Sequence, residues 1–146
     1  MAFTYRFPVR FEDVDYARIV YYPRLFQYCH WTFEAFFPAE AGISYAHLLE
    51  KRKVGFPTVH ARADFLSPLR FGDECRAVLQ TARLGAKSVT NVYRLHAGES
   101  KTPSAELEIV TVAINMDSFE AVELPEDLRA AFLKHSVKDR PGPGPG

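Results

Sequence analysis

Only two cysteines occur in 146 residues. Cys29 and Cys75 form neither a Cys-x-x-Cys step nor part of a Cys/His series at zinc spacing, so no disulfide framework and no metal site organises the chain. Both are read as reduced and mostly buried. His30 follows Cys29 directly, but neighbours on a helix point about 100° apart, which keeps the imidazole from taking the thiol proton. No Gly-x-Ser-x-Gly turn is present, so the signature of a seryl nucleophile is missing as well. No run of 18 or more apolar residues occurs, nor an apolar stretch behind a basic start, and the expectation is a cytoplasmic protein. Eighteen basic and eighteen acidic residues cancel. Such a field attracts neither nucleic acid nor an anionic membrane, and neither is expected as a partner.

What the chain has in excess is aromatic surface: 12 Phe, 7 Tyr and 1 Trp. A large core, an oligomer interface or an apolar pocket must absorb it. The length suits one domain that buries about two thirds of the surface exposed by its unfolded form. That domain is expected over 1–138, with 139–146, ending in Pro-Gly-Pro-Gly-Pro-Gly, as a flexible tail.

The pattern predicts a strand from Tyr5 to Phe11, a loop over 12–22, and a helix opened by Pro23, whose missing N–H costs nothing there. Leu25, Phe26, Cys29, Phe33, Phe36 and Phe37 recur at three- and four-residue steps, with Arg24, Gln27 and Glu34 on another side. This aromatic stripe is read as core. The helix should end between Pro38 and Gly42, followed by a short helix from Tyr45 capped by Ser44. Strands are expected over 57–67, 73–84, 88–97 and 105–115 as an antiparallel meander, and a last helix over 126–134. The fold class is α+β: a five-stranded antiparallel sheet wrapped around a long central helix.

Residues 11–23 hold the chemistry. Glu12, Asp13 and Asp15 stand just before the helix, where backbone N–H groups lack intrahelical partners. A carboxylate beside such donors can attack or deprotonate water while an N–H stabilises a developing oxyanion, which is the equipment of acyl transfer. Asp residues also commonly bond local backbone in turns, and the residues alone leave that plainer role open for Asp15.

In order and spacing, Asp13-Val-Asp15-Tyr-Ala-Arg-Ile-Val20-Tyr-Tyr22-Pro resembles the Asp-x-Asp-x-x-Gly-x-Val-x-Tyr segment of hotdog-fold acyl-CoA thioesterases of the 4-hydroxybenzoyl-CoA thioesterase class. Asp64-Phe-Leu-Ser-Pro-Leu-Arg-Phe-Gly-Asp73 and Leu124-Pro-Glu-Asp-Leu-Arg129 resemble two further blocks of that family. The resemblance covers residues 5 to about 135. It implies the hotdog fold and hydrolysis of an acyl-CoA, aromatic or of short to medium chain, with no cofactor beyond the coenzyme A of the substrate and no metal. It implies Asp15 as the catalytic carboxylate, the Tyr22 N–H as the oxyanion donor, and Lys87 and Ser88 at the coenzyme A phosphates. It also implies a homodimer or a dimer of dimers, a homotetramer, with sites at the subunit interface. Arg18 departs from the pattern: the family commonly has Gly there, which permits a positive φ. Arg18 implies either another loop path or a guanidinium directed at a substrate or phosphate.

Tyr21, Tyr22 and Trp31 are further candidates for lining a pocket. His30 and His60 are left outside the catalytic set, and Lys51-Arg52-Lys53 reads as a solvated helix end. Two rivals remain from the residues: a hydratase or dehydratase of the same fold, disfavoured because no His lies in 11–23, and an acyl-CoA or acyl-carrier binding module without catalysis.

Overall fold

The computed structural model describes residues 1–137; the expected tail at 139–146 lies outside the described residues. Strand β1 (Phe3–Pro8) leads through a 3-10 turn, Phe11–Asp13, to the long helix α1 (Tyr22–Phe36). A π-helical turn, Phe37–Ala41, prolongs α1 and stops at Gly42, which adopts φ +67°. Helix α2 (Tyr45–Glu50) follows, with the Ser44 hydroxyl accepting from the His47 N–H as its cap. Then come β2 (Val54–Gly55), β3 (Thr58–Phe65), β4 (Glu74–Leu84), β5 (Ser88–Ala97), β6 (Ala105–Val112), β7 (Ile114–Asn115) and α3 (Glu126–Leu133).

Five strands form one antiparallel sheet in the order β1-β4-β5-β6-β3. Only β4, β5 and β6 make the expected meander. The link between β3 and β4 is residues 66–73, too long for a tight hairpin, and it carries the chain across the end of the sheet to the far side of β5. Burial explains the order. Five consecutive residues of β5, Val89 to Tyr93, are buried, as suits a central strand, whereas every residue of β3 except Ala63 is exposed, as suits an edge. The first strand lies closer to the N-terminus than expected: Phe3, Phe7 and, just past its end, Val9 turn into the core, whereas Phe11 is exposed in the 3-10 turn. The expected strand over 105–115 breaks at Ala113, beyond which β7 pairs with β2 in a separate ribbon.

Alternation sorts the faces. Cys75, Ala77 and Leu79 from β4, Val89, Tyr93 and Leu95 from β5, and Ala105 and Leu107 from β6 meet Leu25, Tyr28, Cys29, Phe33 and Phe36 of α1 in one core. Phe132 of α3 stacks on Phe36 at 4.8 Å, so the aromatic stripe of α1 is core, as its period predicts. Tyr28 and Thr32 share that buried face.

Candidate active site

Residues 14–20 form a small hairpin. Val14 and Val20 bridge, the Asp15 N–H donates to the Ile19 carbonyl (3.0 Å), and the Arg18 N–H donates to the Asp15 carbonyl (2.9 Å). Arg18 closes the turn at φ +69°, the left-handed conformation that a glycine adopts freely. The loop path expected of the glycine is therefore kept with an arginine in its place. Asp15 is exposed; its Oδ1 accepts from the Ala17 N–H at 2.8 Å and its Oδ2 has no partner among the described residues. This bond orients the carboxylate while leaving one oxygen free.

The hairpin delivers the chain to the head of α1, and the amides there can be accounted for one by one. Val20 donates to the Leu69 carbonyl (2.8 Å), Tyr21 to the Asp13 carbonyl (2.9 Å) and Arg24 to the Tyr21 carbonyl (2.8 Å). Helix α1 starts at Tyr22, one residue earlier than expected, and Pro23 in its second position has no N–H. The Tyr22 N–H donates to nothing among the described residues. It stands at the positive end of a helix of 15 residues.

Beside it opens an apolar cleft of about 600 Å³, lined by Ile19, Val20, Tyr22, Leu25, the 65–69 segment and Ser104. Tyr22 and Phe65 meet edge to face at 6.1 Å on its rim, and both are more than half exposed. The volume falls in the range of small-molecule sites. Tyr22 thus lines a pocket as expected. Tyr21, half exposed, packs its ring on Tyr22 at 5.4 Å outside the lining. Trp31 does not line the cleft: it packs on Phe7 and Tyr28 at the flank of the core.

The neighbouring carboxylate, Asp13, is fully buried. Its Oδ2 accepts from the Arg10 N–H (2.9 Å) and from the Tyr28 hydroxyl (2.7 Å). Its Oδ1 is buried with no hydrogen-bond partner, 3.8 Å from a guanidinium nitrogen of Arg24. Burial, and then the bond to Asp13, push the Tyr28 phenol well above its ordinary pKa, so it remains a donor. Sequence reasoning passed over Tyr28. The available signal was a tyrosine within a stripe of phenylalanines, whose hydroxyl needs a partner once buried.

Lys87 and Ser88 are not brought to this end. They lie in the β4–β5 hairpin, while the cleft sits where β4 begins, and the eleven residues of β4 span about 30 Å. Within one chain they cannot share a site with Asp15; a second copy would have to supply them. Arg52 is occupied by a two-point pair with Asp127 at 2.6 and 2.8 Å. His30 lies 3.3 Å from Glu34, one turn on, and His60 is exposed on β3. Cys29 and Cys75 are buried free thiols, the first held well above its ordinary pKa by burial and the second pushed up to about 12 by the same cause, so neither is a nucleophile. Among the described residues no three His, Cys, Asp or Glu side chains gather as a metal site, and no helix is long and apolar enough to cross a membrane.

Known proteins share this fold. The model of the thioesterase-like superfamily matches residues 9–132. A 1,4-dihydroxy-2-naphthoyl-CoA hydrolase of Nostoc punctiforme is 30% identical over 142 residues, covering 97% of this chain and 93% of its own. The crystal structure of a 1,4-dihydroxy-2-naphthoyl-CoA thioesterase from Synechocystis superposes with a TM-score of 0.82 at 26% identity, covering 97% of this chain and 100% of that one. A gentisyl-coenzyme A thioesterase superposes with a TM-score of 0.77 at 27% identity, covering 86% of this chain and 98% of that one. By the extent of these matches, the chain belongs to the thioesterase-like superfamily and is a hotdog-fold thioesterase.

Proposed function

We propose that this chain hydrolyses an aromatic acyl-CoA, of the hydroxylated benzoyl to naphthoyl kind, to the free acid and coenzyme A. The observation that carries the reading is the unpaired Tyr22 N–H at the rim of an apolar cleft, one hairpin away from an exposed carboxylate with a free oxygen. The acyl class is supported by the relatives: the hydrolase of Nostoc and the thioesterase of Synechocystis bear the name of a dihydroxynaphthoyl thioester, and a third neighbour that of a gentisyl thioester. The 4-hydroxybenzoyl-CoA class remains the resemblance of the 11–23 segment. Aromatic rings on the cleft rim suit an aryl group; short to medium aliphatic chains are the alternative acyl class.

In this reading the thioester carbonyl accepts the Tyr22 N–H. Asp15 then either takes a proton from water as the water oxygen attacks the carbonyl carbon, or attacks it directly to give a mixed anhydride that water opens. The negative charge on the carbonyl oxygen collapses, the C–S bond breaks, and coenzyme A leaves as a thiolate that is already a tolerable leaving group. An oxyanion donor of this kind contributes about 3 kcal/mol to the transition state. Arg18 and Tyr21, neighbours of the lining residues Ile19, Val20 and Tyr22 but outside the lining themselves, are assigned to substrate binding. Lys87 and Ser88, at the opposite end of the sheet, are assigned to coenzyme A bound by another copy. That assignment requires a homodimer or a dimer of dimers. The exposed edge of β3 supports such pairing, because an edge strand left open invites another.

The test is release of free thiol from benzoyl-, hydroxybenzoyl-, hydroxynaphthoyl-, phenylacetyl- and C4 to C16 acyl-CoAs by the wild-type chain and by Asp15→Asn. Hydrolysis of the aryl members that falls about 10² to 10⁴-fold in Asp15→Asn is expected. A variant near the wild-type rate overturns the role of Asp15, and binding without thiol release turns the reading to a binding module.

A further inference from the structure

We infer that Asp13 and Tyr28 are positioning residues for the hydrolysis proposed above, acting on the carboxylate and on the oxyanion donor at once. The inference rests on that reading of Asp15 and Tyr22. Asp13 is used three ways. Its side chain accepts from the Arg10 N–H, which sets the turn entering the hairpin, and from the Tyr28 hydroxyl, which fastens the hairpin to α1. Its carbonyl accepts the Tyr21 N–H, so the amide just before Tyr22 is consumed.

With Arg24 N–H donating back to the Tyr21 carbonyl and Pro23 lacking a proton, the Tyr22 amide is the donor at this helix start left without a partner among the described residues. Asp15 sits two residues beyond Asp13 along the same pinned backbone. Tyr28 is held in turn by Phe7 at 4.7 Å and Trp31 at 5.2 Å, so its hydroxyl has little freedom to leave Asp13. A fully buried carboxylate with one oxygen lacking any hydrogen bond is costly to the fold, and such groups persist where they hold a functional arrangement.

The role is geometric rather than chemical, and this sets apart the two aspartates of the segment. Asparagine at 13 retains an oxygen to accept from Arg10 and Tyr28, and its amide nitrogen falls where Oδ1 makes no hydrogen bond, so that only the 3.8 Å ion pair with Arg24 is given up. At 15, asparagine has no basic oxygen.

The experiment measures kcat and KM for aryl-CoA hydrolysis, together with the melting temperature, in the wild type, Asp15→Asn, Asp13→Ala, Asp13→Asn and Tyr28→Phe. Expected is a fall of about 10²-fold in kcat for Tyr28→Phe and Asp13→Ala at assay temperatures where both remain folded, with KM changed far less. Asp13→Asn should recover most of the kcat lost in Asp13→Ala, while Asp15→Asn stays inactive. Tyr28→Phe keeps the ring packing and so covers the case in which Asp13→Ala does not fold. A Tyr28→Phe enzyme with kcat within about threefold of wild type, or an Asp13→Asn enzyme as inactive as Asp15→Asn, overturns the inference while the proposed reaction stands. A wild type that releases no thiol from any thioester removes the reaction itself, and the inference with it.

Discussion

The Arg18 N–H donates to the Asp15 carbonyl across 2.9 Å while Arg18 itself stands at φ +69°, so the candidate carboxylate and a strained arginine close the same turn. A non-glycine residue held there costs about 1 kcal/mol. Arg18→Gly removes that strain but loosens the unfolded chain, for a net change of about 0 to +1 kcal/mol, or up to roughly 4 °C in Tm. Arg18→Val, whose branched Cβ tolerates this conformation poorly, should lower Tm. If the guanidinium holds substrate, Arg18→Gly raises KM with kcat nearly unchanged, as loss of uniform binding does.

Proline is well accepted as the first residue of a helix, and Tyr21 already has the extended backbone, φ −65° and ψ 128°, that must precede it. Tyr22→Pro therefore deletes one N–H and leaves α1 standing. It should cut kcat about 10² to 10³-fold relative to Tyr22→Ala, which lacks the ring but keeps the amide. Tyr22→Phe, with amide and ring both present, should stay near wild type. Steady-state thiol release on the three variants measures this, with circular dichroism to verify the helix.

The exposed strand β3 gives a prediction about assembly. Val59 is 61% exposed on that edge. A lysine there is the kind of residue that blocks edge-to-edge pairing, so Val59→Lys should shift sedimentation toward the monomer. If coenzyme A is held between two copies as proposed, hydrolysis should decline in parallel as protein concentration is lowered.

His96, on β5, is 7% exposed, with Nδ1 2.9 Å from the Ser100 carbonyl. Burial, and then the Arg76 guanidinium, hold it below its ordinary value of 6.5. A histidine held low in the fold binds fewer protons than in the unfolded chain, so its contribution is full above pH 6.5 and is lost as pH falls through that value toward the folded pKa. Thermal melts between about pH 7.5 and 5.5 should show a decline in Tm that is shallower in His96→Gln.

The α1 stripe and the Ser44 cap were legible because they depend on local period and local bonds. So were the five strands, apart from their ends. The place of β3 was not: nothing within residues 57–67 says which strand will be its neighbour, and the exposure that makes it an edge exists only once β4, β5 and β6 have paired. Trp31 was misjudged for a related reason. Its ring turns toward Phe7, a strand residue 24 positions earlier, and only the docking of α1 on β1 brings them within 5.5 Å.

Residue order by itself determined that a carboxylate-rich turn runs into a proline-opened helix, since turn chemistry and the missing proline N–H act within a few bonds. Which carboxylate is sealed inside and which stands at the surface was decided by tertiary structure alone, because burial and the reach of Tyr28 to Asp13 join residues from separate elements. The same holds for the Tyr22 amide, free among the described residues: its neighbours are consumed by Leu69 and Asp13, and the first of these arrives from the link between β3 and β4.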